Sequence, residues 1–154
     1  MFRYIDNKNS TFLLGAYRSE KSQLEWILGE KPKRYEKLYN IRFNRDLFSQ
    51  RRGGVIMNNL PDYILIYNTQ DPQSGYHLFP CINSSIKEQN DMEAMSYPSP
   101  NGNYIVFSLG EELPSEPIDM NKLLQKLFPS WEKNVLFAPQ IVKGEDIALM
   151  VNES

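Results

Sequence analysis

The hydrophobic positions of the chain cluster most densely in two apolar runs, residues 63–67 and 76–81. The first run is rich in aromatic and β-branched residues and is bounded by Pro61 and Asn68, a pattern typical of a buried strand. Between the runs, residues 71–75 supply the Asp, Pro, Ser and Gly of a turn. The pattern therefore predicts an antiparallel hairpin in the centre of a sheet, because its apolar side chains are too many to be exposed.

Upstream of this hairpin, short apolar stretches predict further strands. Residues 2–5 and 11–16 are two such stretches, separated by a polar turn. Residues 55–57 form a third, after a break of two arginines and two glycines.

A helix is predicted between the second and third of these strands. Ser22 and Glu25 have the spacing of a capping box, in which each side chain bonds an otherwise unpaired amide. The helix over residues 23–28 would bury Trp26 in the core and end at Gly29.

Residues 33–43 fit two periodicities at once. Tyr35, Tyr39 and Phe43 lie on one face of a strand and also on one face of a helix. A strand is favoured after Leu38, because Tyr, Ile and Phe favour a pleated surface.

Beyond residue 81 the pattern alternates between helix and strand. Ser85 and Glu88 have a second capping-box spacing. Asp119 can cap another helix, which Pro129 ends. In order, the pattern predicts a helix after Ser85, a strand at 104–109, a helix after Asp119, an extended stretch at 135–142 and a helix at 145–150.

These elements predict an α+β fold with a mixed, largely antiparallel sheet and three to four short helices packed on it. The pattern leaves open whether the sheet curls into a partial barrel. No repeat or linker divides the chain, so residues 1–154 are expected to form a single globular domain.

Composition places the protein in a reducing compartment. The single cysteine, Cys81, cannot form an internal disulfide. The N-terminal residues lack the apolar core of a signal peptide, and no window has the ~18 apolar residues of a membrane span. We therefore expect a cytoplasmic protein that does not contact a membrane.

Charge is distributed unevenly along the chain, although the net charge is only −2. Residues 30–54 carry eight bases and three acids, whereas residues 84–154 carry five lysines and eleven acids. The eight bases are Lys31, Lys33, Arg34, Lys37, Arg42, Arg45, Arg51 and Arg52. Such a concentration of positive charge is a candidate surface for an anionic partner.

The sequence contains no complete catalytic or cofactor-binding motif. His77 is the only histidine, lies inside a predicted strand and has no nucleophile nearby in sequence. Asp62 resembles the first acid of a metal-dependent nuclease site, but no acid-x-lysine follows it in a strand-like context. No phosphate-binding glycine loop occurs, and we expect no cofactor.

The basic segment, defined as residues 31–54, interleaves cations with aromatic rings. Lysine and arginine neutralise phosphates, while aromatic faces stack on bases. Two adjacent arginines and two glycines at 51–54 would let the backbone approach an oxyanion closely. The candidate ligand-binding residues are Lys33, Arg34, Tyr35, Tyr39, Arg42, Arg45, Arg51, Arg52, Gly53 and Gly54.

The sequence thus favours a non-catalytic domain that binds a phosphate-bearing ligand, above all nucleic acid, through the basic segment. One alternative is an interaction with a protein partner through the acidic C-terminal half, where Glu111 and Glu112 would face a basic partner. The acids Glu111, Glu112, Glu116 and Asp119 lack the regular alternation of a calcium loop and are expected to form a solvated acidic loop. A second alternative is a metal-dependent nuclease-like enzyme that uses Asp62. A solvated strand edge protected by positive charge would explain the basic segment without any ligand.

Overall fold

A computed structural model describes residues 10–17, 21–43, 60–113, 119–131 and 139–147 of the chain. Six strands lie within these ranges: β1 (Thr11–Tyr17), β2 (Lys37–Phe43), β3 (Tyr63–Asn68), β4 (His77–Lys87), β5 (Asn103–Leu109) and β6 (Gln140–Lys143). The helices are α1 (Lys21–Ile27), α2 (Gln89–Ala94) and α3 (Met120–Leu127). A 3₁₀ turn (Pro72–Ser74) and a helical turn at 144–147 complete them.

The described strands form an open, mixed sheet in the order β2-β5-β4-β3-β1-β6. Only β1 and β3 run parallel; the other four neighbouring pairs within the described sheet are antiparallel. The α+β prediction is confirmed, and these six strands do not close into a barrel. The hairpin of β3 and β4 occupies the two central positions, as the pattern predicted.

By its internal contacts the chain divides into two compact units. The first consists of residues 1–19, 61–80 and 112–154, and the second of residues 20–60 and 81–111. Strand β4 belongs to both units: its residues up to Pro80 lie in the first unit, and its residues from Cys81 onward lie in the second. The expectation of a single domain stays a prediction.

In the first unit, β1 and β3 are buried along most of their length. A strand covered on both faces needs a continuous apolar run rather than an alternating one, as in the sequences FLLGA and YILIY. One face packs on α3, whose buried residues are Met120, Leu123 and Leu124. As predicted, Asp119 caps this helix: its side chain accepts a bond of 2.9 Å from the amide of Asn121.

In the second unit, β5 pairs with β2 on one side and with the C-terminal part of β4 on the other. Trp26 of α1 is fully buried, as predicted. Its indole nitrogen donates to the carbonyl of Met95 at 3.0 Å, and its ring meets Tyr97 edge-on at 4.8 Å. Tyr97 in turn contacts Tyr104 of β5 at 5.4 Å, so aromatic rings join α1 to the sheet.

The helix start predicted at Ser85 is wrong. Strand β4 continues through this residue to Lys87, because Ser85 pairs with Val106 of β5. Helix α2 begins only afterwards, and its capping box uses Glu88 and Asp91. Tertiary strand pairing therefore outweighs the local capping signal.

Helix α1 begins at Lys21, so Ser22 lies inside the helix and not at its N-cap. The predicted strands at 2–5 and 55–57, and most of the stretch at 135–142, lie outside the described residues. No described helix has the length and apolar character that crossing a bilayer requires.

Candidate nucleic-acid interface

The basic segment begins in a tight loop, residues 29–36, which joins α1 to β2. Gly29 opens the loop with a φ of +74°, and its carbonyl accepts the amide of Arg34 at 3.0 Å. A single antiparallel bridge joins Glu30 to Lys33. A Cβ on Gly29 would lie 2.7 Å from the carbonyl oxygen of Glu36, so this turn requires glycine.

Arg34 fixes the loop onto α1. Its guanidinium carbon lies 4.4 Å from the centre of the Trp26 ring, a cation–π contact. Nε donates to the carbonyl of Glu36 at 3.0 Å, and Nη2 donates to the carbonyl of Trp26. Burial lowers the pKa of Arg34, and the nearby Glu36 carboxylate opposes that effect. The guanidinium therefore organises the loop and is not free to clamp a phosphate.

Three neighbours of Arg34 face solvent instead. Lys31 and Lys33 are exposed, and the side chain of Tyr35 is fully exposed. Two cations and one uncovered aromatic ring on a loop fixed by its own contacts are suited to phosphates and to an unstacked base.

Strand β2 contributes less to this surface than the sequence suggested. The Tyr39 ring is 4% exposed, so it belongs to the core of the second unit. Lys37 is half-buried, with its Nζ 3.5 Å from a carboxylate oxygen of Glu111. Arg42 is exposed on the same strand and can contact a ligand.

The remaining candidates of the basic segment lie outside the described residues, and their ligand-binding role stays a prediction. They are Arg45, Arg51, Arg52, Gly53 and Gly54.

Asp62 has a structural position at the start of β3. Its Oδ2 accepts the Thr11 amide at 2.8 Å, and its own amide donates to the Thr11 carbonyl at 3.0 Å. These two bonds join Thr11, the first residue of β1, to the residue that precedes β3. Within the described part of the chain, no group of three His, Cys, Asp or Glu residues has the arrangement of a metal site.

Three acids of the C-terminal half, Glu111, Glu112 and Asp119, have contacts within the protein. Glu111 faces Lys37, and Glu112 lies 3.1 Å from Nδ1 of His77. Asp119 caps α3, while Glu116 lies outside the described residues. The Glu111 side chain nevertheless remains 93% exposed, so it still presents its carboxylate to solvent.

The structure also shows a pocket that the sequence did not reveal. It has a volume of about 310 Å³ and lies beside the 29–36 loop, within the second unit. Its lining residues come from α1, from the 29–36 loop and from the loop after α2: Glu25, Lys31, Pro32, Ser96 and Pro98. Hydrophobic periodicity could not predict this pocket, because its lining residues at 25–32 and at 96–98 are more than 60 positions apart in sequence. Lys31 is the one lining residue among the eight bases of residues 30–54.

The fold has counterparts among solved structures. Two structures of variants of the ASCH protein from Zymomonas mobilis, one a Ser-to-Ala and the other a Tyr-to-Phe substitution, match with TM-scores of 0.56. The first is 15% identical and covers 96% of this chain and 97% of its own; the second is 11% identical and covers 92% and 96%. A further structure of the same protein has a TM-score of 0.55, with 13% identity and coverage of 92% and 94%.

Comparisons at the level of sequence give no relative: no protein-family model and no curated protein matches the chain. At 11–15% identity, the structural match is one of fold. The chain is therefore similar in fold to this ASCH protein over nearly its whole length.

Proposed function

We propose that this protein is a non-catalytic, cytoplasmic domain that binds nucleic acid through its basic segment. The observation that carries the proposal is the exposure of Lys31, Lys33 and Tyr35 on a loop that Arg34 holds against Trp26. Because the loop is ordered before binding, little conformational entropy is lost when a ligand contacts it.

Charge and fold support the same conclusion. The exposed lysines open the basic segment, which has eight bases and two acids, and phosphate neutralisation by such residues releases counterions. The fully exposed ring of Tyr35 can stack on a base of a single strand. The fold shared with the ASCH structures is compatible with nucleic-acid binding.

The two alternatives receive less support. A protein partner for the acidic half would compete with the contacts of Glu111, Glu112 and Asp119 inside the protein. A metal-dependent nuclease would need Asp62, whose carboxylate accepts bonds from Thr11.

Charge removal on the loop tests the proposal. The double variant Lys31→Ala/Lys33→Ala should bind single-stranded RNA and DNA more weakly at about 50 mM salt, whatever their sequence. The slope of log K against log salt should become shallower by about 0.7 for each phosphate that the variant no longer neutralises. Fluorescence anisotropy with labelled oligonucleotides measures both quantities.

Lys122 and Lys143, two exposed lysines of the first unit, provide the matched control. The double variant Lys122→Ala/Lys143→Ala removes the same charge, so a nonspecific effect of net charge would weaken binding equally in both proteins. Equal losses of affinity would refute a role for the loop, whereas a loss confined to the first variant supports it.

A further inference from the structure

We infer that the pocket beside the 29–36 loop holds one unstacked base of a single-stranded nucleic acid, and that Glu25 favours a base with an exocyclic amino group. This inference rests on the nucleic-acid binding proposed above. It specifies the form of nucleic acid and the base class that the surface takes.

The size of the pocket limits the ligand. Its volume of about 310 Å³ is at the lower end of the roughly 300–1,000 Å³ found for small-molecule sites. A duplex cannot enter such a space, and a paired base cannot reach it without leaving the stack. The pocket therefore fits a single nucleotide unit of an open strand.

The charges that line the pocket decide which part of the nucleotide enters. Lys31 and Glu25 both contribute to the wall, so the pocket is lined by one basic and one acidic side chain. A carboxylate would repel a phosphate held inside, whereas a neutral base meets no such repulsion. The phosphates then remain outside, next to Lys31 and Lys33, which are exposed.

The polar atoms of the wall favour one class of base. An ionised carboxylate only accepts hydrogen bonds, so Glu25 pairs with an amino group such as that of cytosine. Uracil has a carbonyl oxygen at the corresponding position and would face Glu25 with acceptor against acceptor. The Ser96 hydroxyl can donate or accept, and the rings of Pro32 and Pro98 supply apolar walls.

Trp26 fixes both sides of the pocket. Arg34 holds the loop that carries Lys31 and Pro32 against the face of the Trp26 ring. On the other side, Trp26 Nε1 bonds the carbonyl of Met95, the residue before Ser96. Because both walls are anchored to one buried side chain, the pocket exists before the ligand arrives.

The experiment compares labelled oligocytidine and oligouridine of about 12 residues, at about 50 mM salt, by anisotropy. The wild-type protein should bind oligocytidine about tenfold more tightly. Glu25→Gln should bring the ratio towards one, because a glutamine amide can donate to uracil as readily as it accepts from cytosine. Glu30→Gln is the matched control: Glu30 is an exposed acid of the same loop that does not line the pocket, so the ratio should persist.

Three results would overturn the inference. A ratio of one in the wild type, or a ratio unchanged by Glu25→Gln, with salt-sensitive binding retained, rejects the base pocket and leaves the basic surface standing. Equal affinity for oligocytidine and for its duplex with oligoguanosine also rejects it. Absence of salt-sensitive binding to every oligonucleotide would instead reject the proposed function, and the pocket with it.

Discussion

Arg34 belongs to the basic segment by sequence, but its contacts are those of a structural residue. Its guanidinium covers one face of Trp26 and bonds two backbone carbonyls. One nitrogen, Nη1, is buried and has no hydrogen-bond partner among the described residues. The side chain thus determines the shape of the loop, whereas Lys31, Lys33 and Tyr35 are exposed.

Replacement of Arg34 by Ala should lower the free energy of unfolding by about 2 kcal/mol, because it removes the cation–π interaction and the charge-assisted bonds. Arg34→Lys should not restore it, because an ammonium group cannot stack on the ring and bond both carbonyls in one plane. Urea unfolding measures the change. Lys33→Ala, at the exposed neighbour, should stay within about 0.5 kcal/mol of wild type. Equal stability of Arg34→Ala and Lys33→Ala would contradict the structural role of Arg34.

Tyr17 gives the first unit a dependence on alkaline pH. Burial raises the pKa of Tyr17, and the negative charges of Asp71 and Glu112 raise it further. A raised pKa in the folded state means that the unfolded chain releases this proton first. The corresponding stability is complete below pH 10.0, the ordinary Tyr pKa, and is lost as pH rises through the folded-state value.

Tyr17→Phe should therefore flatten the decline of unfolding free energy above about pH 10. Denaturant unfolding at a series of alkaline pH values measures this slope. Tyr35→Phe removes an exposed hydroxyl and should leave the slope as in the wild type. A decline that is identical in wild type and Tyr17→Phe would show that Tyr17 makes no such contribution.

At the scale of elements, the 29–36 loop depends on the left-handed backbone of Gly29 and on the absence of a side chain there. Gly102 provides a natural comparison, because its φ is +93° but the nearest atom to an added Cβ lies 4.0 Å away. Both glycines have a positive φ, which is unfavourable for other residues. Only at Gly29 would an added Cβ also lie too close to neighbouring backbone atoms.

Gly102→Ala should cost about 1 kcal/mol, the strain of a positive φ alone. Gly29→Ala should cost at least about 3 kcal/mol, because two backbone carbonyls of the loop must also move. Thermal or urea unfolding of the two variants separates strain from crowding. If Gly29→Ala is no more destabilising than Gly102→Ala, the close approach to the carbonyls of Arg34 and Glu36 does not exist in solution.

The sequence predicted the elements that depend on neighbouring residues, such as apolar runs, turns and helix caps. The hairpin of β3 and β4 follows from two apolar runs and a turn, and the start of α3 follows from Asp119. The extension of β4 to Lys87 could not be predicted, because its polar residues resemble a helix cap until β5 pairs with them. The pocket and the contact of Arg34 with Trp26 were likewise missed, since neither follows from the spacing of residues in one element.

For the whole molecule, the central feature is the separation of charge along the chain. Within the described part of the basic segment, Lys31, Lys33 and Arg42 are exposed, whereas Arg34 and Lys37 are engaged. In the acidic half, Glu111 and Glu112 have partners within the protein. Exposed cations of the basic segment therefore accompany the uneven charge along the chain, and the proposed anionic polymer is a partner of complementary charge.

The most direct test is the salt dependence of wild-type binding to single-stranded RNA and DNA. If the basic segment neutralises phosphates, log K should fall linearly with log salt from about 50 mM upward, by about 0.7 for each phosphate neutralised. The steepness of the slope of log K against log salt therefore reports how many phosphates the protein neutralises. Absence of salt-sensitive binding at about 50 mM salt, where electrostatic association is strong, would contradict nucleic-acid binding by this protein.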